Sequence, residues 1–375
     1  MLRTAVAAKI EFRRAAVIKS GGNLGAHGAA RSGCTPVMFL AAALLSAAQL
    51  SAAAYLEPPA ATLRYGADGK FKVLQFADMH FENGLNTTCS EVAKDEEKYC
   101  TDMNTTVFLA AALQLEKPDL VVFSGDNIDF GTNSATWAWD LFAKVCKDAG
   151  VPFAAVGGNH DQENLQKLTR KQVQQYLGQE PGAKTRMGPD FPENHLNRTE
   201  SPGQPDNPWG DDGHYGNFYI ELQKRDGMAG GTLYILDSGD SSKFAQVGGA
   251  DWIWDSQNAW FRNVSRGLQA QRSGAVLPAS AWFHIPLPEH HDLLVQKVNI
   301  SGTNGEGVSS ASVHSGLFTS FVEAGDVKTA SVGHDHVNDY CGNFYGVELC
   351  YAGAGLWLIA LTARVALSQC TSAWT

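Results

Sequence analysis

KPDLVVFSGDN, residues 117–127, decides the fold. Leu120 to Phe123 are all apolar, so the run suits a strand covered on both faces rather than one with a wet side. Pro118 separates it from a preceding helix, and Ser-Gly-Asp breaks the pattern behind it. Working outward, the same alternation recurs. KFKVLQFADMH (70–80) reads as a strand running into a loop, and NTTVFLAAALQLEKPD (104–119) as a helix with Asn104 as its N-cap and Pro118 as its stop. TWAWDLFAKVCKDAG (136–150) is a second helix, closed by Gly150, and VPFAAVGGNHD (151–161) is another buried strand. GTLYILDSGD (231–240), ASAWFHIPLPE (279–289, broken by two prolines) and VKTASVGHDH (327–336) continue the strand series. Helices are expected over 252–268 and near 311–324, and a hairpin over 341–353. A Pro-, Gly- and Asn-rich stretch at 181–217 is a long loop of the kind that is usually functional. The chain from 65 to 355 reads as one α/β domain.

These strands end in side chains that can hold metal. Asp78 and His80 follow the first, Asp126 the second, and Asn159, His160 and Asp161 the third; His284 follows ASAWF, and His334 and His336 follow ASVG. Ligands in open α/β sheets gather at the carboxyl ends of strands, so the clusters can share one crevice. Taken singly, each has a plainer explanation: Asp126 as a helix cap, NHD as a surface loop, His284 as a hydrogen-bonded core histidine, the two late histidines as a solvated strand end. The joint occurrence, each behind an apolar run, carries the signal.

The composition bounds the possibilities. The 375 residues include 44% hydrophobic and 18% charged residues, enough for a sizeable core. A net charge of -10 disfavours nucleic acid as a partner. Basic residues ahead of VMFLAAALLSAAQLSAAAY (37–55) resemble a secretory leader, with cleavage expected near Ala54, a leader of 1–54, and no stable membrane span afterwards. A signal-anchor, or initiation at Met38, is the competing explanation. Sequons at Asn86, Asn104, Asn197, Asn263 and Asn299 agree with an extracellular or vacuolar destination. Six of the seven cysteines lie beyond the leader; Cys89 with Cys100, and Cys341 with Cys350, are close enough in sequence to pair.

The strings ADMH, SGDN, GGNHD, FHIPLPE and GHDH resemble, in order, the signature blocks of the calcineurin-like metallophosphoesterases, and the longer strings resemble their purple-acid-phosphatase-like subgroup of plants and fungi. That resemblance implies a sandwich of two mixed β-sheets flanked by helices, with a two-metal site at the strand C-termini. It assigns Asp78, His80, Asp126 and His336 to one ion and Asp126, Asn159, His284 and His334 to the other, with Asp126 bridging. It implies two metal ions, Fe with Mn or Zn, and hydrolysis of a small phosphate monoester by a hydroxide activated between them; a phosphodiesterase and a non-catalytic metal- or phosphate-binding glycoprotein are the alternatives. His160 is expected to protonate the leaving oxygen or stabilise its developing charge, and Asp161 to fix the His160 tautomer, to cap a helix over QENLQKLTR, or both. Asp335 is expected to point away from the ions.

The match departs in two places. Typical purple acid phosphatases carry Asp-x-Gly in the first block and a tyrosine three residues after the bridging aspartate; here those positions hold His80 and Asp129. A tyrosinate-to-iron colour is therefore not expected. From Leu356 the chain reads LWLIALTARVALSQCTSAWT, an atypical tail whose apolar core is too short to span a membrane.

Overall fold

A computed structural model describes residues 56–82, 101–129, 132–195, 213–242, 244 and 247–353. In chain order its first elements are β1 (Ala61–Arg64), β2 (Val73–Phe76), α1 (Asp102–Glu116), β3 (Leu120–Ser124), α2 (Ala135–Ala149), β4 (Phe153–Val156) and α3 (Arg170–Gln179). There follow β5 (Phe218–Gln223), β6 (Ala229–Ile235), α4 (Asp255–Gln271), β7 (Ala279–Trp282), α5 (Pro288–Val295), β8 (Ile300–Ser301), α6 (Leu317–Ala324), β9 (Val327–Val332), β10 (Cys341–Phe344) and β11 (Val347–Tyr351). They form an eight-stranded sheet, β1-β5-β6-β7-β9-β11-β10-β8, and a three-stranded sheet, β2-β3-β4.

Every residue of β3 is buried because its two faces enter different cores. Val121 and Phe123 join α1, α2 and α3 on the outer side, packing with Leu109, Trp139, Phe142 and Leu177. Leu120 and Val122 face the larger sheet and meet Ile220, Leu233, Ile235 and Trp282. A third cluster, including Phe261, Leu293, Phe321 and Val332, fills the far side beneath α4, α5 and α6. The order is helices, sheet, sheet, helices. That double covering accounts for the uninterrupted apolar runs.

The seam between the sheets is not apolar throughout. Gln75 of β2 donates to Ser124 Oγ (2.7 Å) and accepts from Ser331 Oγ of β9 (2.5 Å). Ser280 and Thr329 bond to each other nearby. Of these, the Gln75–Ser331 bond crosses from the smaller sheet to the larger just beneath the strand ends and so fixes how those ends face, while Ser280 and Thr329 pair within the larger sheet.

Several expectations are corrected in detail. The larger sheet is mixed, but the smaller one is wholly parallel among the described residues, since α1 and α2 supply the crossovers that parallel neighbours need. The N-cap of α1 is Thr101, not Asn104: Thr101 Oγ1 accepts the Asn104 amide at 3.2 Å, so the helix starts earlier. The 252–268 helix is Asp255–Gln271, opened where Gln257 accepts the Trp254 amide at 2.7 Å. The 311–324 stretch is helical only from Leu317, because Asn258 ties up the Ser315 carbonyl in an irregular approach. Cys341 and Cys350 are opposite each other in the β10–β11 hairpin and are disulfide-bonded. The leader, Cys89 with Cys100, the sequons at Asn86 and Asn197, and the tail from Leu356 lie outside the described residues.

Candidate metal centre

Beyond their last hydrogen-bonded residues, β2 and β3 keep running side by side. Asp78 N–H donates to the Gly125 carbonyl and His80 N–H to that of Asp126, both at 3.0 Å. This pairing delivers Asp78, His80 and Asp126 to one place. Glycines let the other strand ends close in. A Cβ at Gly158 would collide with Asp126 Oδ1, and one at Gly333 would lie 2.6 Å from Asp78 Oδ2. Of the nine non-glycine residues with positive φ among those described, four are Asp78, His80, Asp126 and His334. Uncommon backbone is thus concentrated where the expected ligands are, as at sites where geometry outranks local comfort.

Two groups result. Asp78, His80 and His336 bring ligand atoms within 4.8 Å of one another, and so do Asp126, His284 and His334. Asn159 joins the second through Oδ1, 3.0 Å from His284 Nε2. The groups interlock: His284 Nε2 is 3.1 Å from Asp126 Oδ2 and 3.9 Å from Asp78 Oδ1, and His80 Nε2 is 3.8 Å from Asp126 Oδ2. His334 and His336 therefore fall into different groups. They are not two residues of one extended strand, since His334 has φ 75° and turns the chain between them. Asp335 points away, accepting the Ser309 amide and the Tyr351 hydroxyl (2.6 Å).

The donor set fits divalent metal. His80 donates its Nδ1 proton to Asp129 Oδ1 at 3.2 Å, and His284 donates Nδ1–H to the Ser124 carbonyl at 3.1 Å. Both rings thus turn Nε2 inward, the arrangement of metal-binding histidines. His80 Nε2 then lies 3.1 Å from His336 Nε2, hydrogen-bonded nitrogen to nitrogen and close enough for both to reach one cation. Nitrogen and oxygen donors without thiolate suit Fe, Mn or Zn alike.

Electrostatics separate the two carboxylates. Burial pushes Asp78 up, and the attraction of His284 and His336 does not bring it back to the usual range. The same burial at Asp126 is overridden by His284, His160 and His80, which hold it well below that range. Burial depresses His284, yet Asp126 and Asp78 raise it to about 9; burial and the neighbouring His284 hold His334 down at about 4. A metal bound by these residues would have to displace a proton from His284, so its affinity would fall with acidity.

His160 sits at the rim. Its amide donates to Asp126 Oδ1 at 2.8 Å, and its ring lies 5.4 Å from that of His80. Burial lowers its pKa, but the hydrogen bond to Glu163 and the charge of Asp126 lift it to about 9. The carboxylate on its Nδ1 is Glu163, at 2.5 Å. Asp161, expected there, is fully buried and engaged elsewhere: it accepts amides from Gly158 (2.7 Å), Asn127 (3.2 Å) and Ile128 (3.3 Å), tying the β3 and β4 ends together. Nor does it cap a helix. QENL forms turns, and the next helix starts at Arg170 with Thr169 as its cap.

Three neighbours of the candidate site went unread in the sequence: Glu163, Asp129 as the anchor of His80, and Arg170. Arg170 is buried and bonds the carbonyls of Gly158 (2.6 Å) and Gly157 (2.9 Å) while paired with Asp237, so it clamps the loop that carries Asn159 and His160. A lone arginine ten residues past a motif gives no local signal.

Residues 71–338 match the family model described as calcineurin-like phosphoesterase. The chain is 37% identical over 303 residues to the Arabidopsis thaliana protein named probable inactive purple acid phosphatase 29, spanning 78% of this chain and 73% of that one. With probable inactive purple acid phosphatase 28 of the same plant it shares 38% over 307 residues, 79% and 72% of the two chains. With phosphatase DCR2 of Saccharomyces cerevisiae it shares 32% over 307 residues, 77% of this chain and 48% of that one.

Proposed function

The chain belongs to the calcineurin-like phosphoesterase family, and from that premise we propose that it hydrolyses small phosphate monoesters in a metal-dependent reaction. The observation that carries this reading is the pair of interlocked ligand groups, Asp78–His80–His336 and Asp126–His284–His334. Asp78, His80, Asp126 and His336 would hold one ion, and Asp126, Asn159, His284 and His334 the other. Two divalent ions there would supply Lewis acidity toward phosphoryl oxygens and lower the pKa of a water. The chain's own part is to hold and to donate. Asp78 and Asp126 bring too little negative charge to neutralise two such ions, so a phosphate dianion is still attracted. His160, with Nδ1–H on Glu163, presents Nε2 at the rim, where it protonates the departing oxygen. Asp161 keeps the β3 and β4 ends in register. With Asp129 in place of a tyrosine, the loaded protein has no tyrosinate-to-iron absorption band, and Fe with Mn or Zn remains the proposed pair.

The setting is proposed to be the secretory pathway, with an extracellular or vacuolar destination. The Cys341–Cys350 disulfide supports an oxidising compartment, and Asn263 and Asn299 are exposed. Among the described residues no helix is long and apolar enough to cross a membrane.

A second reading, a non-catalytic metal- or phosphate-binding protein, is favoured by the names of the plant relatives, which call those proteins probable inactive. The complete ligand set of this chain argues for catalysis. The deciding experiment is hydrolysis of 4-nitrophenyl phosphate and bis(4-nitrophenyl) phosphate after chelation and after adding back Fe, Mn or Zn. Restored cleavage of the monoester, lost on the order of 10³-fold in Asp126→Ala, supports the proposal. Cleavage of the diester alone makes the protein a diesterase; bound metal without turnover makes it a binder.

A further inference from the structure

We infer that Glu163 is a positioning residue of this site, holding the His160 imidazole by its Nδ1–H so that Nε2 faces the leaving-group oxygen. The inference rests on the phosphomonoesterase reading above for its kinetic consequence, though not for its geometry. Glu163 Oε2 lies 2.5 Å from His160 Nδ1. The two residues are also locked through the main chain, since the Glu163 amide donates to the His160 carbonyl at 2.9 Å and closes a tight turn. The next residues prevent that turn from swinging. Asn164 accepts the Leu168 amide (3.0 Å) and donates to the Leu168 carbonyl (3.1 Å), and the Leu165 amide reaches Thr132 O at 2.9 Å. From the other side, the His160 amide is fixed to Asp126 Oδ1.

Among the described residues, the other carboxylates near His160 are committed elsewhere. Asp161 is spent on the amides of Gly158, Asn127 and Ile128, Asp126 on the His160 amide and His284, and Asp129 on His80. The hydrogen bonds of the His160 ring among the described residues are all made at Nδ1, which leaves Nε2 for substrate. Without Glu163 the ring is free to rotate about its Cβ–Cγ bond and to swap tautomer. A proton donor that must stand within hydrogen-bond reach of one oxygen then loses its aim. The competing explanation is an ordinary partly exposed ion pair between side chains 34% and 25% accessible, worth little to the fold. The two explanations differ in what they do to different leaving groups.

The test compares metal-loaded full-length wild type, Glu163→Gln, Glu163→Ala and His160→Ala on two substrates. 4-Nitrophenolate departs without a proton; the alkoxide of 2-phenylethyl phosphate needs one. The expected result is a split. Glu163→Ala loses about 10²-fold in kcat/KM on the alkyl ester and less than about 5-fold on the aryl ester, with bound metal unchanged, and Glu163→Gln, which still accepts from Nδ1–H, recovers part of the loss. His160→Ala shows the same split, and adding Glu163→Ala to it costs nothing more. Equal losses on both esters, or none on either, overturn the inference. If wild type cleaves neither ester, the phosphatase reading fails, and the geometry is decided separately by ¹⁵N NMR of the His160 ring, assigned by its loss in His160→Asn. In the neutral form a single Nδ1–H tautomer that becomes a mixture in Glu163→Ala supports positioning by Glu163. A tautomer unchanged by that substitution overturns it.

Discussion

His284 and His80 are both aimed through Nδ1, but the acceptors differ. His284 leans on the main-chain carbonyl of Ser124, inside β3, and is fully buried with Asp126. His80 leans on the carboxylate of Asp129, which is 38% accessible, and its neighbour His336 is 34% accessible. One half of the centre is therefore built by the strand itself, while the other depends on a side chain that water can reach. The first cannot change without moving β3; the second changes with a single surface substitution. Under the proposed metal-dependent reading, the inner half would set whether the centre exists, and the outer half would tune how firmly its ion is held.

The most severe way to break the comparison is Gly125→Ala. Gly125 has φ 104°, and an added Cβ would lie 2.5 Å from His284 Nδ1, with the β3 backbone unable to retreat. Overpacking and strain together should cost about 3–5 kcal/mol, read as a lower denaturation midpoint, and metal at the inner half should be lost. A variant that keeps both its stability and two bound ions would show that β3 does not hold His284 as described.

Asp129→Asn strikes the outer half alone. The amide weakens the hold on the His80 proton, and one of the two ions should bind about 10–100-fold more weakly while the other is unaffected, as measured by equilibrium dialysis. Equal weakening of both would mean that the halves act as one unit, and that the difference in anchoring has no thermodynamic consequence.

What the sequence revealed, and what it hid, follows the same division. Apolar runs closed by Gly-Asp, Gly-Gly-Asn or Gly-His marked β3, β4 and β9 and the residues at their ends, because burial on both faces and a forced turn leave a local imprint. The choice of hydrogen-bond partner leaves none. Asp161 is adjacent to His160 and was the natural orienter, yet the tight turn after it carries Glu163 onto the ring and sends Asp161 inward. Asn104 is as good a cap as Thr101 by residue type; where the chain enters α1 decided between them. Gln75 sits within an otherwise apolar strand and Ser331 near the end of β9, and only the crossing of the two sheets shows that they complete each other. The smaller sheet is parallel among the described residues, where the resemblance implies a mixed one, because α1 and α2 supply its crossovers.

The smallest expected effect concerns the far side of the loop that holds His334 and His336. His290 is fully buried, its ring 5.2 Å from that of Tyr351, whose hydroxyl bonds Asp335 in that loop. Its Nδ1–H donates to the Leu287 carbonyl, and among the described residues Nε2 has no hydrogen-bond partner. Burial pushes it down from 6.5 to about 4. Because the folded value is the lower one, the unfolded chain takes up a proton first as the medium acidifies. The contribution is complete above about pH 6.5 and is lost progressively as pH falls toward 4. In His290→Asn the amide nitrogen can replace the Nδ1 donor without titrating. The slope of stability against pH over that interval should then fall by at most about 1.4 kcal/mol per pH unit, measured by denaturant unfolding of the metal-free protein at each pH. Unlike Gly125→Ala and Asp129→Asn, this change should leave both halves of the centre with their metal at neutral pH. A loss of metal there would mean that the contact through Tyr351 and Asp335 reaches the ligands, and that the anchoring of the outer half extends well behind Asp129.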